Sequence, residues 1–332
     1  MALTIILLAV SFVLLLGGAF VFTNAIEWTG QRLNLGHGAV GSVLAAVATA
    51  LPESIIPIVA IIGGGSNTEI AIGAIVGAPF MLGTLAMALV GISAFAFRGR
   101  REQDTKLSLD TRATPRDLIV FLIFLALTLV LGLLGLRVLN IIAAAVFVIA
   151  YGVYVWRTIA SGAASGAEEE PSSLFFDPTK HDPPRNIQII GQVIVGLGLI
   201  VGGAHLFVIE VEHLAHAFGV PALVLALLIA PLASELPEKI NSFLWVREGK
   251  DALALGNITG AMVFQSMIPV AAGLAFTDWT LSSAPVAAIA ASLIGGAIAL
   301  FTVQRAGRFA VPLVVVWAAL YVGAAVYVAI AA

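Results

Sequence analysis

Long apolar stretches recur along this chain, separated by short polar stretches. Because a helix needs about 20 mostly apolar residues to cross the hydrocarbon layer, such stretches predict transmembrane helices. An all-α integral membrane protein with ten transmembrane helices is therefore predicted. The ten spans lie near residues 3–25, 38–62, 70–97, 117–136, 138–157, 187–210, 219–245, 252–276, 283–303 and 309–330.

The composition agrees with this prediction and excludes several kinds of ligand. Of the 332 residues, 60% are hydrophobic and 11% are charged, which is more apolar than a soluble domain of this size. The chain contains no cysteine, which excludes disulfides and thiolate metal sites. No cofactor and no nucleic acid are expected. The expected partners are the lipid bilayer and small inorganic cations.

The basic residues predict how the chain is oriented in the membrane. Of the 16 lysines and arginines, all but two lie in loops that join an odd-numbered span to the next even-numbered one. The exceptions are Arg137, on the opposite side, and Lys239, which lies within a span. Loops rich in Lys and Arg face the cytoplasm. We therefore predict a multi-pass protein of the plasma membrane with both termini extracytoplasmic.

The second half of the chain repeats features of the first half. Gly17-Gly18-Ala19 recurs 185 residues later as Gly202-Gly203-Ala204. Leu51-Pro52-Glu53 recurs at the same offset as Leu236-Pro237-Glu238. Each half has five predicted spans, an odd number, so the second copy is expected to enter the membrane upside down. The predicted division is a first repeat at 1–158, a cytoplasmic linker at 159–186 and a second repeat at 187–332.

Each repeat carries a proline and a glutamate in the middle of an apolar segment. Proline frees backbone carbonyls, and a carboxylate in hydrocarbon costs about 2.5–3.5 kcal/mol unless a cation meets it. Glu235 shares a helix face with Glu238, and two close carboxylates favour a multivalent cation or a shuttled proton. We predict Glu53, Glu235 and Glu238 as metal ligands near the bilayer midplane. The alternative is a protonated glutamate that is hydrogen-bonded inside the bundle.

Uncharged oxygen atoms complete the predicted ion site. Thr49 and Ser234 occupy matched positions, each four residues before a central glutamate. Their hydroxyl groups either ligate a cation or bond back to the preceding turn. Asn257 and Gln265 in the eighth span are further candidate ligands, because hard cations prefer carbonyl and carboxylate oxygens.

A second group of polar residues lies late in the sixth span. Glu210 and His213 are three residues apart and share a helix face, with Glu212 beside them. One interpretation is an access site or proton relay for ions. The other is a set of polar residues that caps the outer end of the span.

These motifs resemble those of the cation/calcium exchanger superfamily, which includes sodium/calcium exchangers. The family motif G-T-S-L-P-E is matched by Ala48-Thr49-Ala50-Leu51-Pro52-Glu53 and by Ala233-Ser234-Glu235-Leu236-Pro237-Glu238. The start of a second motif is matched at Gly73 to Gly77 and Gly256 to Gly260. The resemblance implies α-repeats at about 38–97 and 219–276 and alternating-access antiport of Ca²⁺. It also implies central roles for Glu53 and Glu238, with hydroxyl ligands from Thr49 and Ser234.

The chain departs from the family motifs in ways that bear on the coupling ion. The family's first-motif serine is Ala50 in one half and Glu235 in the other. The final Asn or Asp of the second motif is Leu82 and Gln265. Oxygens that would hold Na⁺ are lost and one carboxylate is added, which makes protons a natural substitute.

The predicted function is secondary antiport of a divalent cation, with Ca²⁺ the leading candidate, against H⁺ or Na⁺. An enzyme is not expected, because no HExxH motif or Ser/His pairing occurs at helical spacing. The alternatives are a transport-impaired cation-binding sensor and a cation channel on the same scaffold.

Overall fold

The computed structural model describes residues 1–32, 50–65, 67–100, 107, 112–160, 172–177, 184–305 and 311–331. Within these ranges the regular structure is helical. Helix α3 contains a π-helical stretch, Leu82–Ala86. The helices are α1 Ala2–Arg32, α2 Leu51–Gly63, α3 Asn67–Ala96, α4 Ala113–Leu134, α5 Arg137–Ala160, α6 Asn186–Phe218, α7 Ala222–Arg247, α8 Asp251–Phe276, α9 Ser283–Arg305 and α10 Val311–Ile330.

Eight helices are long and apolar enough to cross a membrane, namely all except α2 and α7. Helix α2 has 13 described residues, and residues 33–49 of the predicted second span lie outside the described ranges. Helix α7 has 26 residues, and its described apolar segment is Ala222–Leu232, because the side chain of residue 233 lies outside the described residues. The charged residues Glu235, Glu238 and Lys239 follow in its second half. The chain is thus an all-helical membrane protein with eight candidate spans in the described residues.

Helices α1 and α6 pack closely along their length through small residues. Glycine allows two helix backbones to approach each other. A Cβ atom added to Gly18 of α1 would lie 2.9 Å from the backbone nitrogen of Ile200 in α6. A Cβ atom added to Gly203 of α6 would lie 2.9 Å from the backbone nitrogen of Leu15 in α1. Residue 15 of α1 thus meets residue 203 of α6, and residue 18 of α1 meets residue 200 of α6. Because the residue number in α6 falls as the residue number in α1 rises, the two helices are antiparallel.

Part of the predicted linker, residues 172–177, lies against the pair formed by α1 and α6. Asn24 and Trp28 of α1 donate hydrogen bonds to the carbonyl of Ser172, at 3.1 and 2.9 Å. Gln192 of α6 accepts a hydrogen bond of 2.9 Å from a backbone N–H of the same segment. These contacts hold the described part of the linker across both long helices.

Helices α3 and α8 occupy the centre of the protein. In their most apolar windows 83% and 72% of the residues are buried, whereas the peripheral helices α5 and α10 have 17% and 11%. Helix α3 also lies very close to α7, because a Cβ atom at Gly77 would collide with the Leu227 carbonyl and the Pro231 ring. Glycine at this position therefore lets the two helices meet beside the candidate site.

Candidate cation site

Glu53 lies in the first turn of α2 and is buried, with 6% of its surface exposed. The partial positive charge at a helix N-terminus favours a carboxylate in this position. Glu53 lines a cleft between three helices, so the first LPE segment meets a helix from the second half of the chain. The other residues that line the cleft are Ile56 of α2, Ala74 and Ala78 of α3, and Ala230, Pro231 and Ser234 of α7.

Helix α7 brings the second LPE segment to this cleft. The Ser234 hydroxyl donates a hydrogen bond of 3.0 Å to the Ala230 carbonyl, which is the bond to the preceding turn considered above. Glu235 is buried and lies in an ion pair with Lys239, with 3.8 Å between Oε2 and Nζ. Glu238 belongs to the same helix, but its side chain lies outside the described residues, as does the whole of Thr49.

The two candidate ligands of α8 lie at different depths. The Asn257 side-chain amide is 3.4 Å from the Ser242 hydroxyl of α7. Since α7 and α8 are antiparallel, this contact places Gln265 at roughly the level of Ser234, about 12 Å along α8 from Asn257. Gln265 is 1% exposed, and its Oε1 has no hydrogen-bond partner among the described residues. Gln265 therefore lies nearer the level of the cleft than Asn257 does, although neither residue lines it.

Two of the polar residues late in α6, Glu210 and His213, are in contact with each other. His213 Nδ1 lies 3.3 Å from Glu210 Oε2, with 61% of the histidine side chain exposed and 4% of the glutamate side chain exposed. Glu212 is half-buried beside them. In the part of the chain that the structure describes, no group of three or more His, Asp or Glu side chains could hold a metal ion. The role of these residues in ion access stays a prediction.

A buried aspartate near the start of α4 joins three helices. Asp117 of α4 is 4% exposed, and its Oδ1 accepts hydrogen bonds from Tyr154 of α5 (2.9 Å) and from Arg116 (3.0 and 3.1 Å). Its Oδ2 accepts a hydrogen bond of 3.1 Å from Thr259 of α8. Thr259 belongs to the segment Gly256 to Gly260, so the aspartate anchors a helix of the candidate site.

Lys239 is the other residue that sequence reasoning passed over. It falls within a predicted span, and its side chain is 1% exposed and is paired with a predicted ligand. The signal was present in the chain, because Glu235 and Lys239 are four residues apart and thus share a helix face. What the spacing could not reveal is that both side chains are buried.

A multi-pass helical protein with carboxylates buried between its central helices has the organisation of a secondary transporter. Sequence comparison identifies the group of transporters. The chain belongs to the sodium/calcium exchanger protein family, whose model matches residues 3–160 and 188–330. The match covers both predicted repeats and leaves out most of the predicted linker.

Individual relatives are more distant. CaxA of Alkalimonas amylolytica, a proposed antiporter, is 29% identical over 92 residues, which are 28% of this chain and 29% of that protein. The crystal structure of the H⁺/Ca²⁺ exchanger CAX matches with a TM-score of 0.71 and 17% identity, over 99% of this chain and 88% of that chain. The sodium-calcium exchanger NCX_Mj matches with a TM-score of 0.59 and 18% identity, over 97% of each chain. At such identities the structural likeness establishes a shared fold.

Proposed function

We propose that this protein is a secondary active antiporter of the plasma membrane that exports a divalent cation, with Ca²⁺ the leading candidate, against H⁺ or Na⁺. The carrying observation is that Glu53, from one LPE segment, shares a cleft with Ser234, which lies beside the other LPE segment. Membership of the sodium/calcium exchanger family supports the proposal. The proposed ligands are Glu53, Glu235 and Glu238, with oxygens from Thr49, Ser234, Asn257 and Gln265.

The proposed architecture is ten transmembrane helices in two inverted repeats of five, with both termini extracytoplasmic. The contacts between α1 and α6 support this arrangement. An offset of 185 residues converts Gly18 into Gly203 and Leu15 into Ile200, so the pair Gly18–Ile200 becomes the pair Gly203–Leu15. Reciprocal contacts of this kind are expected where a pseudo-two-fold axis passes between equivalent helices.

The proposed mechanism follows from the burial of charge. Ionised carboxylates between apolar helices are costly unless a cation or protons neutralise them. Carboxylate, hydroxyl and amide oxygens would replace the hydration shell of a divalent ion in the cleft. The long helices α1 and α6, with 31 and 33 residues, would then slide or rock against the helices of the site. If these helices move only when the site holds a cation or protons, and not when the site is empty, transport of one ion is coupled to transport of the other.

Uptake of ⁴⁵Ca²⁺ into proteoliposomes tests this proposal, driven separately by a Na⁺ gradient and by a pH gradient. Glu53→Gln removes one charged ligand and should lower uptake at least about 30-fold, as expected when one partner of a buried charge interaction is lost. Glu69→Gln is the matched control, because Glu69 is exposed near the start of α3 and does not line the cleft. The control should transport like the wild type.

The same experiment distinguishes the alternatives. Uptake on the pH gradient alone would identify H⁺ as the counter-ion, and uptake on the Na⁺ gradient would identify Na⁺. Flux that needs neither gradient would contradict antiport and favour a cation channel. Binding of ⁴⁵Ca²⁺ without uptake under either gradient would favour a transport-impaired sensor.

A further inference from the structure

Helix α7 contains an ion pair that is buried within the protein. The Lys239 side chain is 1% exposed and that of Glu235 is 2% exposed, and their Nζ and Oε2 atoms lie 3.8 Å apart. A charged side chain in a membrane interior is costly unless it is paired. A fully buried lysine inside a transport helix is therefore expected to serve the function of the site.

The pair lies on α7 next to the residues that line the cleft, although neither of its members lines the cleft itself. Glu235 directly follows Ser234, which lines the cleft with Glu53, and Lys239 directly follows Glu238. One helical turn beyond Glu238, Ser242 contacts Asn257 of α8. The ammonium group is thus carried on the stretch of α7 that lies between the cleft and this contact with α8.

The charges of the site then balance a divalent ion. When ionised, the three carboxylates Glu53, Glu235 and Glu238 carry three negative charges, and the Lys239 ammonium reduces the sum to two. Glu235 and Lys239 together add no net charge. Two negative charges match one divalent cation, whereas three would leave room for an additional monovalent cation beside Glu235.

We propose that Lys239 is a tethered cation, whose ammonium group occupies the position beside Glu235 that a transported monovalent cation would otherwise take. This inference rests on the proposed function and deepens it, because it reassigns Glu235 from ligand of the exchanged ion to partner of Lys239 and leaves Glu53 and Glu238 as the carboxylates that bind the exchanged ions. Glu235 then acts as the anchor of the lysine, and Lys239 sets the ion selectivity and the charge of the site.

The experiment compares ⁴⁵Ca²⁺ binding by the purified protein in NaCl and in choline chloride at equal ionic strength. Lys239→Gln leaves the Glu235 carboxylate open to Na⁺, so the ratio of the Kd in NaCl to the Kd in choline chloride should rise at least about tenfold above that of the wild type. Glu235→Gln leaves a site with one net negative charge, so its Kd in choline chloride should rise at least about tenfold.

The double variant, Glu235→Gln with Lys239→Gln, again has two net negative charges. Its Kd should return to within about threefold of the wild type, with the wild-type ratio between NaCl and choline chloride. A purely structural pair would also tolerate the double change, but it predicts no rise in the ratio between NaCl and choline chloride for Lys239→Gln. Lys250→Gln is the matched control, because Lys250 forms an exposed pair with Glu248 (3.0 Å), and it should leave both values unchanged.

Each outcome decides between the two proposals. If the wild type binds no ⁴⁵Ca²⁺, the proposed function fails and this inference fails with it. If the wild type binds but Glu53→Gln does not, and the Lys239 series leaves the salt ratio unchanged, only this inference is overturned. If the single variants do not fold, the double variant decides alone, because loss of ⁴⁵Ca²⁺ binding in a folded double variant, whose site has the same net charge as that of the wild type, overturns it.

Discussion

Thr259→Val removes one hydrogen bond from the buried Asp117 carboxylate while the side chain keeps nearly the same shape. The Thr259 hydroxyl donates to Oδ2 at 3.1 Å, and it joins α8 to α4 across 142 residues of sequence. Thr259 is fully buried and Asp117 is 4% exposed, so water cannot easily replace the lost donor. We expect the variant to be less stable, with α8 less firmly held.

The expected magnitude follows from the kind of bond that is lost. A hydrogen bond to a charged group contributes about 1.5–3 kcal/mol, so the free energy of unfolding should fall by that amount. Tyr154→Phe removes the 2.9 Å bond at Oδ1 and should cost less, about 1.5 kcal/mol, because Arg116 still donates twice to the same oxygen. The two effects should not add, since both act on one carboxylate.

Reversible unfolding in mixed micelles can measure these changes through the fluorescence of Trp279 and Trp317, which are both fully buried. Thr302→Val is the matched control, because the buried Thr302 hydroxyl bonds back to the Ile298 carbonyl of its own helix at 2.7 Å. The control should change the free energy of unfolding by less than about 0.5 kcal/mol. If Thr259→Val changes it no more than this control, the reasoning about Asp117 is wrong.

Two further predictions concern helix packing, and both are measured by the same unfolding assay. Gly77→Ala should destabilise the protein by about 1–3 kcal/mol, because the added Cβ meets the Leu227 carbonyl. Gly152→Ala is the control and should not destabilise the protein, because no described atom lies within 4 Å of the added Cβ. Equal effects of the two changes would contradict the close approach of α3 and α7. Arg137→Met should cost about 1.5–3 kcal/mol, because this guanidinium binds the carbonyls of Leu274, Ala275 and Thr277 at the C-terminal end of α8. Arg137→Lys should recover only part of the loss, and full recovery would show that charge matters more than the forked geometry.

Much of the helical structure could be predicted because apolar length is a local property. The predicted spans 70–97 and 187–210 correspond to Asn67–Ala96 and Asn186–Phe218, with the largest error at the end of the latter. That helix continues past residue 210 because polar residues near a helix end are compatible with helical backbone. A hydropathy pattern therefore locates the apolar middle of a helix better than its ends.

The candidate site could be predicted only in part. The repeated LPE segments predicted that Glu53 and Glu238 converge; Glu53 shares a cleft with Ser234 of the same helix as Glu238, and the Glu238 side chain lies outside the described residues. The Ser234 hydroxyl bonds back to the Ala230 carbonyl, and its role as a cation ligand stays a prediction. The Asp117 network could not be predicted, because its bond to Thr259 joins residues with no shared local pattern.

The sequence by itself determined that this is a helical membrane protein, that its halves share motifs and that two LPE segments carry the candidate ligands. These properties follow from local hydrophobicity and from repetition, both of which can be read along the chain. Only the tertiary structure decided that Lys239 is buried against Glu235 and that Asp117 binds α8. Burial and partner choice depend on which helix faces meet, and that is settled by packing between segments far apart in the chain.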